Sequence, residues 1–269
     1  MNELLIKMNP DNDNDSIPLL TLPEQLFLLI LNPDTGKLPY TFVPLFHGFV
    51  GCGIAELQLM DKVIVSKQNN SSLNTNKMLI KVIDHSKTGD PFLDYILSKL
   101  SHSSAQKGLP MATAILTISV GLNKMKRITE TIAQSLIKKG FIRGTLKRSV
   151  LFKSKSIYEV VDYQAKISVE SSICKVLSTP PDYPDNCIRE LIILLTFKQY
   201  EDVLIKPKLM DTLISRLYQP EQCSHIRANL RLINKNFYKE PSEAHLSNDP
   251  SVKMLSLVIG GIRNAITSE

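Results

Sequence analysis

Residues 26–31 and 191–195 are the longest unbroken apolar runs in the chain. A bilayer-spanning helix needs about 20 consecutive apolar residues, so neither run can cross a membrane. Runs this apolar and this short read as pieces of buried core elements. Around them Leu and Ile recur at helical spacing, Trp is absent and aromatic residues make up only 6% of the chain. A mainly α fold is therefore expected. With 269 residues and 43% hydrophobic content, the chain can bury a sizeable core. The first residues lack a basic segment followed by a long apolar stretch, so a secretory signal is not expected. The expected location is cytoplasmic, and any membrane contact is expected to be peripheral.

Cys52, Cys174, Cys187 and Cys223 are far apart and form no C-x-x-C pair. Reduced thiols are the expectation, with no metal centre and no cofactor. The alternating aspartates of Asp11-Asn12-Asp13-Asn14-Asp15 start like a calcium loop. Such a loop needs Gly at its sixth position and Glu at its twelfth, where Ser16 and Leu22 stand. Residues 1–18 are thus expected to be a flexible polar tail, and residues 19–269 one domain.

Thr21-Leu22-Pro23-Glu24 has the form of a capping box, with Pro where a first turn tolerates it. It predicts a helix over 25–32, and Asn32-Pro33-Asp34-Thr35-Gly36 then predicts a turn. A buried helix is expected over 49–59, short strands over 63–65 and 78–82, and a loop over 68–77. Asp90 is the natural N-cap of a helix opened by Pro91. Ile128, Ile132 and Leu136 mark an amphipathic helix that stops at Gly140. Residues 150–152 and 156–161 read as arms of a β-hairpin, and later helices are expected near 165–177, 187–197, 208–217, 225–236 and 252–266.

Charge is distributed unevenly. Residues 124–159 hold ten Lys/Arg and two Asp/Glu, a net of +8, whereas the whole chain is only +6. The basic character is one concentrated surface. Within it Val150, Leu151 and Phe152 are flanked by Lys147, Arg148, Lys153 and Lys155. An apolar tip ringed by cations suits an anionic lipid surface: charge attracts the headgroups and the tip enters the apolar layer. A basic wing contacting nucleic acid would have similar chemistry, and a hairpin of this kind also pairs readily within a homo-oligomer.

Several segments, in order, resemble the Golgi phosphoprotein 3 family. They are Leu20-Thr21-Leu22-Pro23-Glu24-Gln25, then Gly51-Cys52 with Ile54, Glu56, Leu57 and Leu59, and Thr88-Gly89-Asp90 with Leu93-Asp94. Leu136-Ile137-Lys138-Lys139-Gly140 with its hairpin, and the stretch from Glu190 to Leu204, follow. The resemblance implies a helical bundle core with surrounding amphipathic helices and a protruding β-hairpin. It implies a peripheral membrane protein that reads phosphatidylinositol 4-phosphate on the cytosolic face of the Golgi and links cargo to vesicle coats. The family's headgroup pocket uses a tryptophan and three arginines; the matching positions here hold Thr41, Val50, Lys126 and Thr129. Only Lys126 keeps a charge, and a lysine does not reproduce a planar guanidinium fork.

The expected headgroup-binding cations are Lys124, Lys126, Arg127, Lys147 and Arg148, with Val150, Leu151 and Phe152 as the membrane-inserting tip. Enzyme motifs fail on context. Ser104-Ala105-Gln106-Lys107 fits S-x-x-K without the accompanying motifs, and Gly48, Gly51 and Gly53 lack the strand and Lys-Ser/Thr of a phosphate loop. A non-enzymatic lipid binder is expected, with a winged-helix-like nucleic-acid binder using residues 124–159 as the alternative.

Overall fold

The computed structural model describes residues 20–38, 43–67, 78–103, 108–148, 154–180, 182, 187–203, 209–237 and 250–267. The polar tail, the loop over 68–77, Ser104 to Lys107, Thr41 and the tip residues Val150, Leu151 and Phe152 lie outside the described residues.

Helix α1 (Leu22–Ile30) begins at the capping sequence: the Thr21 N–H donates to Glu24 Oε2 at 2.8 Å. Its side chains are apolar nearly all round, and all but Gln25 are buried. A helix of that composition is stable only inside a shell of others. The same holds for α2 (Val43–Leu59) and for the apolar middle stretches of α7 (Ile188–Val203) and α10 (Pro250–Thr267). Leu191 to Leu195 are all fully buried, as are Leu255, Val258, Ile259 and Ile262. These four helices pack on one another as the central bundle. Gly51 lies where α2 crosses α10: an added Cβ would stand 2.3 Å from the Ile262 side chain, so glycine sets the closeness of that crossing.

Amphipathic helices surround the bundle: α3 (Pro91–Ser103), α4 (Met111–Ser119), α5 (Leu122–Lys138), α6 (Tyr163–Ser178), α8 (Leu209–Leu217) and α9 (Pro220–Phe237). Strands β1 (Val63–Lys67), β2 (Met78–Val82) and β3 (Leu109–Pro110) form one antiparallel sheet in that order; β4 (Ile142–Arg148) and β5 (Ser154–Val160) form a separate hairpin. The mainly α fold with bundle, amphipathic shell and hairpin agrees with the sequence reading.

Some boundaries do not. Helix α2 starts at Val43, well before residue 49, because Pro44 falls in its first turn and the glycines 48, 51 and 53 are packing residues. Strand β3 and helix α4 were not expected; Pro110 separates them as the last strand residue and the N-cap of α4. Among the described residues the hairpin arms are Ile142–Arg148 and Ser154–Val160, while the arm expected over residues 150–152 lies outside the described residues. Two local devices hold the hairpin in place. At the end of α5, the Phe141 N–H donates to Leu136 O and the Gly140 N–H to Ile137 O, both at 3.0 Å, with Gly140 at φ +81°. On the other side, the turn after α1 is closed by Asn32 Oδ1, which accepts from Asp34 and Thr35 N–H. Gly36 in that turn accepts from the Tyr158 N–H at 2.8 Å through its carbonyl. An added Cβ on Gly36 would sit 2.7 Å from the Tyr158 carbonyl oxygen. The Tyr158 ring meets Phe27 edge-on at 5.5 Å between centroids.

Candidate membrane-binding surface

Helix α5 buries Ile128, Ile132, Ala133 and Leu136 against the core and exposes Lys124, Lys126, Arg127 and Lys138. The division follows from helical spacing: the apolar positions recur every three to four residues and leave the cations facing water. Strand β4 continues directly from the helix through Phe141, so α5 and the hairpin form one contiguous unit. That unit carries every described residue of the basic segment.

The expected cations have different surroundings. The Lys124 ammonium donates to Thr117 O at 2.7 Å and so caps the C-terminal end of α4. Lys126 is well exposed and stands 3.7 Å from Glu130, a pair that contributes little in water. The Arg127 guanidinium lies over the Tyr95 ring at 4.4 Å from its centroid. Lys147 and Arg148 close strand β4, paired in register with Lys155 and Ser154. Helical spacing thus gathers Lys124, Lys126 and Arg127 on the first turns of α5. Lys147 and Arg148 sit at the far end of β4, the last described residues before the segment whose sequence includes Val150, Leu151 and Phe152.

Two further basic residues of the segment have acidic neighbours, one buried and one exposed. The Lys139 ammonium donates to both oxygens of Glu24, at 2.6 and 2.7 Å, and Arg143 stands 3.9 Å from Glu159 across the hairpin. Because Glu24 lies outside the segment, its pairing with Lys139 makes the outward charge smaller than the local count of +8, in which Glu159 is already included. Of the positions matched to the family's pocket, Val50 is fully buried in α2. Thr129 is half-buried, and its hydroxyl donates to Met125 O at 3.2 Å. In this chain neither position presents a charge to a headgroup.

Sequence reasoning missed the polar network beneath this surface. Glu24, 1% exposed, accepts from the Thr21 N–H, the Ser135 hydroxyl at 2.7 Å and Lys139. Glu56 accepts from the Leu22 N–H and from Arg189 at 2.9 Å. Asp90 caps α3 by accepting from the N–H groups of Phe92 and Leu93, both at 2.9 Å. Thr88 donates its N–H and hydroxyl to Asp94. The Thr-Gly-Asp motif is thus a helix-start device facing α5. Its sequence signal was present, but Ser135, its partner, is unremarkable in one dimension. Among the described residues no group of three or more His, Cys, Asp or Glu is placed to hold a metal ion, and no helix is long and apolar enough to cross a membrane.

The fold and its cationic helix–hairpin unit place the chain in a class of mainly helical proteins with a basic face. Comparison with known proteins narrows the class. The family model for Golgi phosphoprotein 3 (GPP34) matches residues 22–212. The chain belongs to the Golgi phosphoprotein 3 family, whose members are Golgi-associated trafficking proteins. It is 92% identical over 262 residues to a VPS74-like protein of Dictyostelium discoideum, covering 97% of this chain and 100% of that protein. It is 26% identical over 170 residues to vacuolar protein sorting-associated protein 74 of Eremothecium gossypii, covering 61% of this chain and 51% of the relative. The protein of that name in Schizosaccharomyces pombe is 22% identical over 199 residues, covering 67% of this chain and 58% of the relative. The match thus spans a little over half the length of these two fungal relatives.

Proposed function

We propose that this protein is a peripheral membrane adaptor that docks on anionic phospholipid at the cytosolic face of the Golgi, by family resemblance on phosphatidylinositol 4-phosphate. The observation that supports this reading is the concentration of the described basic residues on one structural unit, α5 and its hairpin, with the apolar sequence Val150-Leu151-Phe152 falling between the two strands in the chain. Lys124, Lys126, Arg127, Lys147 and Arg148 supply the electrostatic approach, and Leu151 and Phe152 supply insertion. Each cation near an anionic surface contributes on the order of 1 kcal/mol, so the group acts collectively. Val50 and Thr129 offer no charge, and selectivity for the 4-phosphate would rest on Lys126 and its neighbours. Cargo and coat proteins are the partners expected of such an adaptor.

Vesicle co-sedimentation at physiological salt tests this. Membranes of neutral lipid, of phosphatidylserine and of phosphatidylinositol 4-phosphate are compared at matched total charge. Binding to both anionic membranes, stronger for the phosphoinositide, is expected. Replacing Leu151 and Phe152 together by Asp is expected to abolish sedimentation while the helical circular dichroism is unchanged. Retained sedimentation of that variant would remove the insertion step. Duplex DNA binding that falls steeply with salt, without vesicle binding, would move the basic unit to nucleic acid.

A further inference from the structure

A cleft of about 650 Å³ opens between the start of α1, the Thr-Gly-Asp turn and the C-terminal half of α5. It lies on a different flank of α5 from Lys126 and Thr129. Its volume falls within the range of small-molecule sites. The wall is apolar at Met60, Pro91 and Leu93 and polar at Thr88, Thr131 and Ser135.

The floor holds a half-buried carboxylate, Asp90, whose second oxygen has a long contact from Ser135 and no hydrogen bond from a cation among the described residues. Glu24 and Glu56 each have a cationic partner, Lys139 and Arg189. Asp90 uses Oδ1 to cap α3, while its Oδ2 is approached by the Ser135 hydroxyl at 3.4 Å. Ser135 has a single hydroxyl proton, and its 2.7 Å contact with Glu24 takes it. Burial holds the Asp90 carboxyl above its ordinary range, with the Leu93 N–H opposing that shift, Glu24 adding to it, and Lys139 and the Phe92 N–H opposing it. A positive donor reaching Oδ2 would satisfy the oxygen and stabilise its charge. One turn further along α5, exposed Lys138 lines the same cleft and offers a cation to an anion.

A floor that calls for a cationic donor and a mouth that offers a cation are complementary to a zwitterion. We infer that this cleft binds a primary ammonium joined to a phosphate, the chemistry of a phosphoethanolamine group, with the ammonium donating to Asp90 Oδ2 and the phosphate accepting from Lys138. The apolar wall at Met60 and Pro91 takes the carbon linker. The group's source is either a phosphatidylethanolamine headgroup or a soluble metabolite.

Calorimetric titration of the full chain with phosphoethanolamine and with phosphocholine tests the assignment. A quaternary ammonium has no N–H to give Asp90, so phosphocholine should bind about tenfold more weakly or not at all. Asp90→Asn keeps an oxygen for the α3 cap and removes the charge. It should weaken phosphoethanolamine binding about tenfold or more, as should Lys138→Gln, with the thermal transition of both variants near that of the parent. Phosphatidylcholine vesicles with and without phosphatidylethanolamine distinguish the sources: added retention on the ethanolamine membranes assigns a lipid, and free-headgroup binding alone assigns a metabolite. Equal affinity for phosphocholine, indifference to Asp90→Asn, or absence of phosphoethanolamine binding overturns the assignment. So does an Asp90-dependent Lys-containing peptide that binds where phosphoethanolamine does not. Asp90→Asn should leave sedimentation with phosphatidylserine vesicles intact, which separates this site from the membrane-binding surface.

Discussion

Lys139 shows how a residue's role depends on what it faces. In the sequence it is one more cation of a basic segment; in the fold it neutralises Glu24, which is 1% exposed. A carboxylate taken out of water needs both a counter-charge and hydrogen bonds, and Glu24 receives them from Lys139, Ser135 and the Thr21 N–H. Removing one partner of such a pair costs more than the pair contributes, because the remaining charge stays buried. Lys139→Ala should therefore lower stability by about 2–4 kcal/mol in urea unfolding. Replacing Glu24 by Gln in the same chain should recover part of that loss. A change below about 0.5 kcal/mol in the single variant, the ordinary size of a surface substitution, would show that water reaches Glu24.

At the scale of elements, helix ends decide how the pieces join. Helix α1 runs into the core, where its last carbonyls cannot reach water. Lys166 on α6 supplies the donors: its ammonium reaches Leu28 O at 2.5 Å and Leu31 O at 3.2 Å while only 4% exposed. It is also within 3.3 Å of Glu170, which Arg216 approaches at 2.6 Å. Burial pulls the Lys166 ammonium below its usual range, with Glu170 opposing that shift. Lys166→Met keeps the aliphatic stem and removes the donors. The expected result is a loss of about 2–3 kcal/mol, with faster amide exchange at the end of α1 than at its start. Uniform acceleration along α1 would mean that the lysine acts through global stability and not as a cap.

Across the whole molecule, the C-terminal helix belongs to the same core as the N-terminal ones. Helix α10 packs on α2, α4 and α7, and Ile262 fills the crossing left open by Gly51. Deleting residues 250–269 should leave α2 and α7 with an uncovered apolar face. The expected product retains helical far-ultraviolet dichroism, binds a hydrophobic dye and loses cooperative thermal unfolding. A sharp transition in the truncated chain would show that the bundle is complete without α10.

The sequence by itself determined the elements whose signals are local. The capping box before α1, Asp90 before α3, the Asn32–Gly36 turn and the Gly140 stop all act within a few residues, so reading them needs no fold. It also located the basic segment and five family motifs in order. The tertiary structure decided what depends on residues far apart in the chain. Ser135 joins Glu24 across 111 positions, and Lys166 caps α1 across 138. Val50 is sealed in the core, and the glycines of α2 are crossing points, not breaks. Burial and partnership are properties of three-dimensional neighbours. For that reason the count of cations was legible in one dimension, whereas which of them face water and which hold the core together was not.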